Sequence, residues 1–579
     1  MKITEKKQKV RDYRWRFYVA ALLLCTLSTS VFFRIAYLQL WNRDFLQDEG
    51  AKRVVRTATI PAYRGMIQDR NGEPLAVSTP VTTIWANPKQ LWDERDRWPE
   101  LAKALGEKSS SLSKHLTAMK DKQFMYLKRH MNPVKAAAVL NMDISGVYGL
   151  SEYRRFYPAG EVTSHIVGFN NIDDQGQEGI ELAFEDTLRG EPGKKRVIKD
   201  LKGRIVKDIG LIENAKPGRD VMLSIDLRAQ YIAYRELLAA VHAYQATAGV
   251  AVAVDVRTGE IVAMANQPSF NPNNRKPKDQ DGFRNRAITD VFEPGSTMKV
   301  FTAAAGLESG RWKPSSLIDT TPGALRIGRK TIRDTHNYGL IDLTHMITKS
   351  SNVGATKVAL SLKDGTLPTM LHRVGFGEKT GVGIQGEVSG VLPLRPSYGK
   401  ERWGELETAT MSYGYGVSVT AAQLARAYAI LGAHGIKRPL SIVKTSGDVK
   451  GERVFSEGVA ENVIKMMETV VSKEGTAQRA AVDGYRVGGK TGTVHKAAGG
   501  KYEARRYLGL FAGVAPAEDP RLALVIMIDD PKGKEYYGGQ VAGPVFSRIM
   551  AGMLRIKNVP PDLPVQEWAN IVPKGNGKS

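Results

Sequence analysis

An uncharged run near the N-terminus constrains this chain most. Phe17–Phe33 carries no charged side chain over 17 residues, and apolar character resumes after Arg34. About 20 such residues cross a bilayer as a helix. Seven lysines and arginines lie within residues 1–16, and a basic flank of this kind stays in the cytoplasm. We therefore predict a cytoplasmic tail over residues 1–16, a single membrane anchor over 17–41, and an extracytoplasmic remainder.

A cleaved signal peptide is the alternative interpretation of this run. No small-x-small cleavage site follows the apolar core, which favours an uncleaved anchor. The only cysteine, Cys25, lies within the run, so the chain has no intramolecular disulfide and no cysteine metal site.

The chain is strongly basic, with 83 Lys and Arg against 60 Asp and Glu and a net charge of +23. This balance indicates a polyanionic partner, which could be nucleic acid, anionic lipid or an acidic polymer. We find no zinc-finger spacing, aromatic RNA-binding motif or basic heptad region, and therefore predict no nucleic-acid partner. No cluster of metal-ligand residues is evident, and we predict neither a metal nor a cofactor.

The 579 residues are enough for several domains. The composition changes at Lys216–Asp220, where we place a domain boundary. Residues 42–215 contain no evident nucleophile–base pair, and 90–145 within them are predicted to be helical. Residues 216–560 form the second predicted domain, and the polar residues 561–579, with Pro and Gly, indicate a mobile tail.

Periodicity in the second domain predicts both helices and strands. A helix is expected from Leu227 to about Tyr244. Apolar runs predict a covered central sheet, with strands at Gly249–Val256, Glu260–Ala265, 486–494, 507–514 and 521–528.

The stretch Glu293–Lys299 introduces an apolar run that continues to Leu307. This pattern predicts a buried helix with Ser296 at its N-terminus, where free backbone N–H groups favour developing negative charge. Lys299 falls on the same helix face, and burial lowers the pKa of a lysine. A neutral amine one turn from a hydroxyl suits the role of base for a serine nucleophile.

Ser-x-x-Lys alone is weak evidence, and an ordinary helix cap followed by a solvated lysine is the alternative. The pattern recurs at Ser111/Lys114, Ser397/Lys400 and Ser441/Lys444.

Two further segments provide candidate partners for Ser296. Ser350-Ser351-Asn352 lies 54 residues after it, between two helical patterns, and Lys490-Thr491-Gly492 lies 194 residues after it, within a predicted strand. Ser269-Phe270-Asn271 and Lys379-Thr380-Gly381 repeat these tripeptide patterns. The first repeat precedes the serine, and no strand pair follows the second. We therefore predict that residues 296, 350 and 490 converge in one cleft.

Ser-x-x-Lys, Ser-x-Asn and Lys-Thr-Gly in this order resemble the active-site set of penicillin-binding proteins and serine β-lactamases. Ser351 stands where that set has an aspartate, a variable position. The resemblance extends over nearly the whole chain, which is identified as a member of the class B penicillin-binding proteins, most like those of cell division. The further matching stretches are Arg64–Gly72, Arg154–Gly160, Gly176–Glu181, Phe292–Lys299, Ser412–Gly416 and Tyr536–Gly539.

The resemblance implies an α+β chain with a single N-terminal transmembrane helix, an elongated pedestal domain and a transpeptidase domain whose central antiparallel sheet is flanked by helices. It implies that Ser296 attacks the carbonyl between the two terminal D-alanines of a peptidoglycan stem peptide, while Lys299 takes its proton. Ser350 would relay that proton to the departing D-alanine. An amine of a second stem peptide would then resolve the acyl-enzyme and form a cross-link.

The same resemblance implies the catalytic set Ser296, Lys299, Ser350 and Lys490, and the substrate-binding set Asn352, Thr491, Gly492 and Thr493, which Lys490 would assist. Asn352 would bind a substrate amide, and the others would hold or admit the terminal carboxylate at the strand. Backbone N–H groups of Ser296 and Thr493 would form the oxyanion hole. Whether Tyr536 and Tyr537 contact the substrate is left open, and His495 is interpreted as a rim residue.

The implied location is the bacterial inner membrane, with a cytoplasmic N-terminus and a periplasmic catalytic domain at the division septum. The implied partners are stem peptides, the lipid-linked precursor, β-lactam antibiotics, an FtsW-like membrane glycosyltransferase and other division proteins.

Three alternatives stay open on the sequence. They are an elongation-type transpeptidase, a D,D-carboxypeptidase or β-lactam hydrolase on the same framework, and a non-catalytic division scaffold. No Glu-x-x-Leu-Asn stretch of the kind that activates a deacylating water is found, which argues against a class A β-lactamase.

Overall fold

The computed structural model describes residues 14–46, 49, 55–199, 205–276, 281–395, 401–498 and 501–563. Most of the tails predicted over 1–16 and 561–579 lies outside these ranges, so both tails stay predictions. The chain divides into two compact units. The smaller unit comprises Met1–Ala62, Pro80–Glu152 and Glu191–Lys216, and the larger unit comprises Tyr63–Thr79, Tyr153–Gly190 and Pro217–Ser579.

The helices and strands are numbered here in chain order. The described α-helices are α1 (Arg14–Leu40), α2 (Pro88–Leu91), α3 (Trp98–Leu105), α4 (Ser109–Ala118), α5 (Pro133–Leu140), α6 (Ser164–Val167), α7 (Gly179–Ala183), α8 (Glu185–Leu188), α9 (Leu227–Ala243), α10 (Arg286–Thr289), α11 (Lys299–Glu308), α12 (Leu343–Thr348), α13 (Asn352–Ser361), α14 (Thr366–Val374), α15 (Glu405–Ser412), α16 (Ala421–Gly432), α17 (Glu457–Val471), α18 (Gly538–Val541) and α19 (Gly543–Ile556). The described strands are β1 (Val55–Ile60), β2 (Ile67–Gln68), β3 (Pro74–Ala86), β4 (Met125–Met131), β5 (Val147–Phe156), β6 (Phe169–Asn170), β7 (Gly176–Glu178), β8 (Gly193–Lys199), β9 (Ile205–Glu213), β10 (Val221–Met222), β11 (Ala248–Asp255), β12 (Ile261–Gln267), β13 (Leu317–Asp319), β14 (Ala324–Ile327), β15 (Lys330–Arg333), β16 (Leu340–Asp342), β17 (Ile436–Lys437), β18 (Glu452–Arg453), β19 (Gly488–Ala498), β20 (Lys501–Ala515) and β21 (Leu522–Asp529).

Helix α1 is the predicted apolar N-terminal helix. It has 27 residues and a mean hydropathy of 1.9 over its most apolar 18-residue window, and none of its residues is buried in the protein. A helix of this length rises about 40 Å at 1.5 Å per residue, which exceeds the hydrocarbon core of a bilayer. By length and composition, α1 is long and apolar enough to cross a membrane.

The rest of the smaller unit is a mixed α/β structure. Strand β8 pairs antiparallel with β1 on one side and with β9 on the other. Helices α3, α4 and α5 bury their apolar sides in a separate core that includes Trp98, Leu101, Leu112 and Val139. The prediction that residues 90–145 are helical is wrong for Met125–Met131. That segment forms β4, because pairing with the end of β3 overrides the local preference of its sequence.

The larger unit is built on a five-stranded antiparallel sheet in the order β12-β11-β21-β20-β19. Every residue of β11 and β21 is buried. Because successive side chains of a strand point to opposite faces, both faces of these central strands must be covered. Helices α9 and α19 pack together against the sheet, and α16, which is buried along its whole length, also packs against it. The predicted central antiparallel sheet with flanking helices is confirmed.

The strands of this sheet match the sequence prediction with one difference. The hairpin of β19 and β20 is longer than predicted, because β20 begins at Lys501 instead of near residue 507. The outer end of the hairpin is paired through Ala497 with Tyr502, after a register shift that follows His495. This longer hairpin carries Tyr502 to the edge of the site described next.

Candidate active site

Ser296 lies in a short 3₁₀ turn, Gly295–Met298, that leads directly into α11. The predicted buried helix is confirmed, because every residue of Lys299–Gly306 is buried. Ser296 lies at the N-terminal end of this helix as predicted, although the turn that carries it is 3₁₀ and not α-helical. Gly295 has φ of 54°, a left-handed conformation that keeps the preceding backbone out of the α-helix, and the chain tightens to 3₁₀ before α11 begins.

The loop that follows α15 fixes this turn from behind. The Gly295 N–H donates to the Gly414 carbonyl at 3.0 Å. Gly414 has φ of 83°, and a Cβ atom there would lie 2.1 Å from the Gly295 carbonyl oxygen. Only glycine allows this approach. Tyr413 and Tyr415, which frame the glycine, are partly buried, and their ring centroids lie 5.5 Å apart.

Ser350 contacts both the lysine of Ser-x-x-Lys and the lysine of Lys-Thr-Gly. Its Oγ lies 3.1 Å from Lys299 Nζ and 3.0 Å from Lys490 Nζ. The Lys299 ammonium also donates to the Ser350 carbonyl at 2.5 Å. A serine oxygen can accept from two lysines and still donate its own hydrogen. The geometry therefore makes Ser350 a bridge between two amines.

The backbone presents this bridging hydroxyl in an uncommon conformation. Ser350 lies between α12 and α13 with φ of 60°, which residues other than glycine rarely adopt. Such conformations persist only where the surrounding structure enforces them, and they cluster at functional sites.

Both lysines are fully buried. Burial, and next the charge of Lys490, holds the pKa of Lys299 well below its ordinary value, although Asp334 acts in the opposite direction. Burial lowers the pKa of Lys490 to about 7. Two ammonium groups that share one hydroxyl in a buried site disfavour each other's charge. The lowered pKa of Lys299 favours the neutral amine that its predicted role as a base requires.

Strand β19 forms one wall of the site at the edge of the sheet. Thr491 is buried, and its Oγ1 lies 2.9 Å from Thr476 Oγ1. Thr493 is partly exposed, and its Oγ1 accepts the Gly538 N–H at 3.0 Å. A Cβ atom on Gly492 would lie 3.2 Å from the Pro294 carbonyl oxygen, so the strand passes close to the turn that carries the serine.

The Ser-x-Asn segment is held by Asp334, a residue that the sequence did not single out. The Asp334 carboxylate accepts the Ser351 hydroxyl at 2.5 Å and the backbone N–H groups of Asn352 and Val353 at 2.5 and 3.0 Å. Ser351 also caps α13 by accepting the Gly354 N–H at 2.8 Å. No local pattern around Asp334 indicates this role, because its partners begin 17 residues later in the chain.

Asn352 itself begins α13 but is not its cap. Its Nδ2 donates to the Arg333 carbonyl at 2.9 Å, and its substrate role stays a prediction.

Aromatic side chains form the rim beyond Thr493. His495 is exposed, with its ring centroid 4.6 Å from that of Tyr507. Tyr507 stacks on Tyr536 and Tyr536 on Tyr537, each pair with centroids 4.4 Å apart. Half of the Tyr537 side chain is exposed, so this stack offers a flat aromatic surface beside the site.

A second rim contact involves Glu293, which the sequence analysis also did not single out. Its carboxylate accepts the Gly416 N–H at 2.9 Å and the Tyr502 hydroxyl at 3.0 Å. Glu293 is the first residue of the Glu293–Lys299 stretch. Its closeness to Ser296 in the sequence was the only indication that it could belong to the site.

One group of metal-ligand residue types comes together in the described part of the chain. The ligand atoms of His434, Glu457 and Glu461 lie within 4.8 Å of one another on the surface. Both glutamates are exposed, as acidic side chains commonly are in the absence of a metal. His434 is separated from them by more than 20 residues, so sequence spacing could not reveal the group.

Comparisons with known proteins agree with this architecture. Residues 59–223 match the penicillin-binding protein dimerisation domain, and residues 249–551 match the penicillin-binding protein transpeptidase domain. The chain is 44% identical to the peptidoglycan D,D-transpeptidase FtsI of Escherichia coli K12, over 96% of this chain and 95% of that protein. It is 42% identical to the probable peptidoglycan D,D-transpeptidase PbpC of Pseudomonas aeruginosa, over 95% and 96% respectively.

A solved structure extends the likeness to both domains. The peptidoglycan synthetase of Bifidobacterium adolescentis superimposes with a TM-score of 0.69 at 26% identity, covering 88% of this chain and 98% of that one. The chain therefore belongs to the class B penicillin-binding proteins of the FtsI type and is a peptidoglycan D,D-transpeptidase of that family.

Proposed function

We propose that Ser296 is the nucleophile that carries the acyl group in this transpeptidase. The observation that carries the proposal is the single Ser350 hydroxyl within 3.1 Å of both Lys299 and Lys490. Ser296 precedes Lys299 by three residues across a 3₁₀ turn, a spacing that places two side chains on the same face, and the pKa of Lys299 is lowered. A base next to a serine is the arrangement that nucleophilic catalysis needs.

In the acylation step, Ser296 Oγ attacks the carbonyl carbon between the two terminal D-alanines of a donor stem peptide. Lys299 takes the serine proton, and a tetrahedral oxyanion forms. The C–N bond then breaks, and the leaving D-alanine nitrogen receives a proton from Lys299 through Ser350. General acid–base catalysis of this kind contributes about 10²- to 10⁴-fold in rate.

Two other parts of the site suit the substrate's charges. Backbone N–H groups of Ser296 and Thr493 would stabilise the oxyanion, worth about 2.7–4 kcal/mol per donor. Lys490, Thr491 and Thr493 would bind the terminal carboxylate with one positive charge and two hydroxyls. The bound carboxylate favours the charged form of Lys490 and thereby leaves the neutral form to Lys299. Asn352 would bind an amide of the donor.

The acyl-enzyme would next react with an amine from a second stem peptide, which forms the cross-link. A β-lactam carries a strained amide and a carboxylate, so it would acylate the same serine. The catalytic domain would lie on the periplasmic side of the inner membrane at the division septum, because basic residues precede α1 and the FtsI relatives share the architecture. An FtsW-like glycosyltransferase and other division proteins would be its membrane partners.

Intact-mass spectrometry after treatment with penicillin tests the nucleophile. We expect one stable adduct per chain on Ser296, and no adduct in Ser296→Ala. Repeated turnover of penicillin without an adduct would instead identify a hydrolase on this framework. Full support of cell division by Ser296→Ala at normal abundance would identify a scaffold.

A further inference from the structure

The carboxylate of Glu293 is fixed three residues before the nucleophile. Its Oε1 accepts the Gly416 N–H at 2.9 Å, and its Oε2 accepts the Tyr502 hydroxyl at 3.0 Å. The adjacent backbone is fixed as well, since Phe292 and Val419 exchange two hydrogen bonds of 3.0 and 2.9 Å. The carboxylate therefore has a defined position at the rim of the cleft.

Among the residues that the structure describes, no cation neutralises the charge of this carboxylate. Across the part of the chain that the structure describes, no lysine, arginine or histidine forms an ion pair with Glu293, and its contacts are to neutral donors. Burial, and next the negative charge of Glu293, raises the pKa of Tyr413, Tyr415 and Tyr502, that of Tyr415 to about 12. These tyrosines thus stay neutral, and Glu293 is left as a partly buried negative charge three residues before the nucleophile.

A positively charged ligand group fits this environment. An ionised carboxylate has about four acceptor positions, and two of those on Glu293 are occupied. The rings of Tyr415 and Tyr502, with centroids 6.2 Å apart, border it. Aromatic faces attract an ammonium group in addition to the ion pair.

The transpeptidase reaction brings such a group to the cleft. The acceptor is a primary amine, which at neutral pH is almost entirely protonated, since amines of the lysine type have a pKa of about 10.4. Water, the competing acceptor, is uncharged. A carboxylate fixed at the rim of the cleft can therefore discriminate between the two acceptors by charge.

We propose that Glu293, positioned by Tyr502, binds the ammonium group of the acceptor stem peptide and so selects an amine over water to resolve the acyl-enzyme. This inference rests on the proposed function of Ser296. It assigns a specificity-determining residue and a charge to the acceptor side of the cleft.

During the covalent step the acceptor nitrogen gives up two protons. The bound ammonium loses one proton to solvent, and the neutral amine attacks the ester carbonyl carbon of the acyl-Ser296, forming a C–N bond. The nitrogen becomes positively charged in the tetrahedral adduct, and Glu293 stabilises that charge. Lys299 takes the second proton from the nitrogen and returns it to Ser296 Oγ as the C–Oγ bond breaks, which leaves an amide and the free serine.

Partition of the acyl-enzyme between water and amine tests the proposal. The full-length protein is acylated with a D-alanyl thioester donor, and the ratio of aminolysis to hydrolysis is measured with Nα-acetyl-lysine amide as the acceptor. We expect Glu293→Gln to lower this ratio about 3- to 10-fold, the range for a hydrogen-bonded charge pair at a partly exposed site. Tyr502→Phe frees the carboxylate without removing its charge, and we expect a smaller decrease.

Hydroxylamine separates charge recognition from general damage to the site. It is uncharged near neutral pH, so its aminolysis ratio should be the same in Glu293→Gln as in the natural protein. An equal decrease for both acceptors would overturn the proposal, because it would reduce Glu293 to a structural role. Glu161→Gln is the matched control, since Glu161 also accepts a tyrosine hydroxyl, that of Tyr234 at 2.9 Å, and contacts no described site residue.

The natural protein provides a test that does not depend on a variant folding. Salt screens an ion pair, so aminolysis by the lysine amide should decrease from low to high ionic strength, while aminolysis by hydroxylamine should not. Equal salt dependence of the two acceptors would also overturn the proposal. Failure of the natural protein to be acylated at all would contradict the proposed function instead, so the two failures are distinguishable.

Discussion

Two copies of Lys-Thr-Gly in one chain show how strongly the surroundings decide what a tripeptide does. Lys490 lies on the edge strand β19, fully buried, with its Nζ 3.0 Å from Ser350 Oγ and a pKa lowered to about 7. Lys379 lies in the loop after α14 with an exposed side chain. Burial therefore gives Lys490 a proton equilibrium near neutral pH.

The neighbours of the two threonines differ in the same way. In the loop copy, the Thr380 hydroxyl and N–H and the Gly381 N–H all donate to the Glu387 carboxylate. All three donors therefore have hydrogen-bond partners inside the protein, which stabilises the loop. In the strand copy, no carboxylate binds the threonine, and the Thr491 hydroxyl contacts Thr476 and the Lys490 amine at 2.9 and 3.4 Å. The desolvated lysine and its neighbours, and not the tripeptide alone, therefore define this site.

The largest expected effect comes from Lys299, compared with the lysine of a repeated Ser-x-x-Lys. Lys299→Ala should slow acylation by penicillin about 10³-fold or more, because it removes the base. Lys444→Ala, in the Ser441 repeat, should leave the rate unchanged, since its Nζ only donates to the Arg70 carbonyl at the surface. Rates come from labelled penicillin and quenched time points. Acylation of Lys299→Ala at the normal rate would exclude Lys299 as the base.

The next effect compares the two Lys-Thr-Gly lysines directly. Lys490→Ala should slow acylation about 10²-fold, since it removes both a contact to Ser350 and the charge for the substrate carboxylate. Lys379→Ala should stay within about twofold of the natural rate, because that side chain is exposed. Second-order acylation constants for the two variants provide the measurement. Similar losses in both would contradict the view that burial distinguishes the two lysines.

A third prediction concerns pH. Lys490 loses its charge as pH rises through about 7, so acylation by a penicillin with a free carboxylate should decline above this pH, by up to about tenfold per pH unit. Protonation of Lys299 removes the base, so the rate should also decline as pH falls through the pKa of that residue. The lowered pKa of Lys299 places that acid limb below its ordinary range.

A penicillin ester serves as the control for the alkaline limb. It lacks the carboxylate, so its acylation rate should not follow the charge of Lys490. The same alkaline decline for the ester would show that Lys490 titration acts on catalysis in some way other than carboxylate binding.

The smallest expected effect is on stability alone. Glu387→Gln leaves the Thr380 and Gly381 donors with a neutral acceptor, and we expect the free energy of unfolding to fall by about 1–3 kcal/mol. Acylation should be unchanged. Urea denaturation followed by fluorescence measures the loss, and Glu518→Gln, at an exposed ion pair with Arg486, is the control expected to change stability by less than about 1 kcal/mol. A fall in acylation by Glu387→Gln would mean that the loop copy supports the site after all.

Local patterns predicted much of the larger unit. The helix from Leu227, the hairpin of β11 and β12, and the buried helix after Ser296 all follow from apolar periodicity that matches their final environment. Strand β4 was missed because its partner, β3, lies about 40 residues earlier in the chain, and pairing over such a separation leaves no local mark.

The residues of the site were likewise predicted only in part. Ser296, Lys299, Ser350 and Lys490 were found because their spacing and order are distinctive, and the structure brings Lys299 and Lys490 to the Ser350 hydroxyl. Asp334 and Glu293 were not found. Each acts through backbone N–H groups or hydroxyls supplied by other segments, and such partners cannot be inferred from the identity of a single acidic residue.

The apolar N-terminal helix, the central sheet and the order of the reactive groups could all be predicted from the sequence. Apolar runs and their periodicity indicate burial, and the order of the motifs can be seen directly along the chain. Tertiary contacts decide which of the two Lys-Thr-Gly lysines is desolvated, which hydroxyl and N–H groups hold Glu293, and which serine bridges two amines. Those properties depend on dielectric surroundings and on distances of a few ångströms between residues as many as 200 positions apart, and only the folded chain sets them.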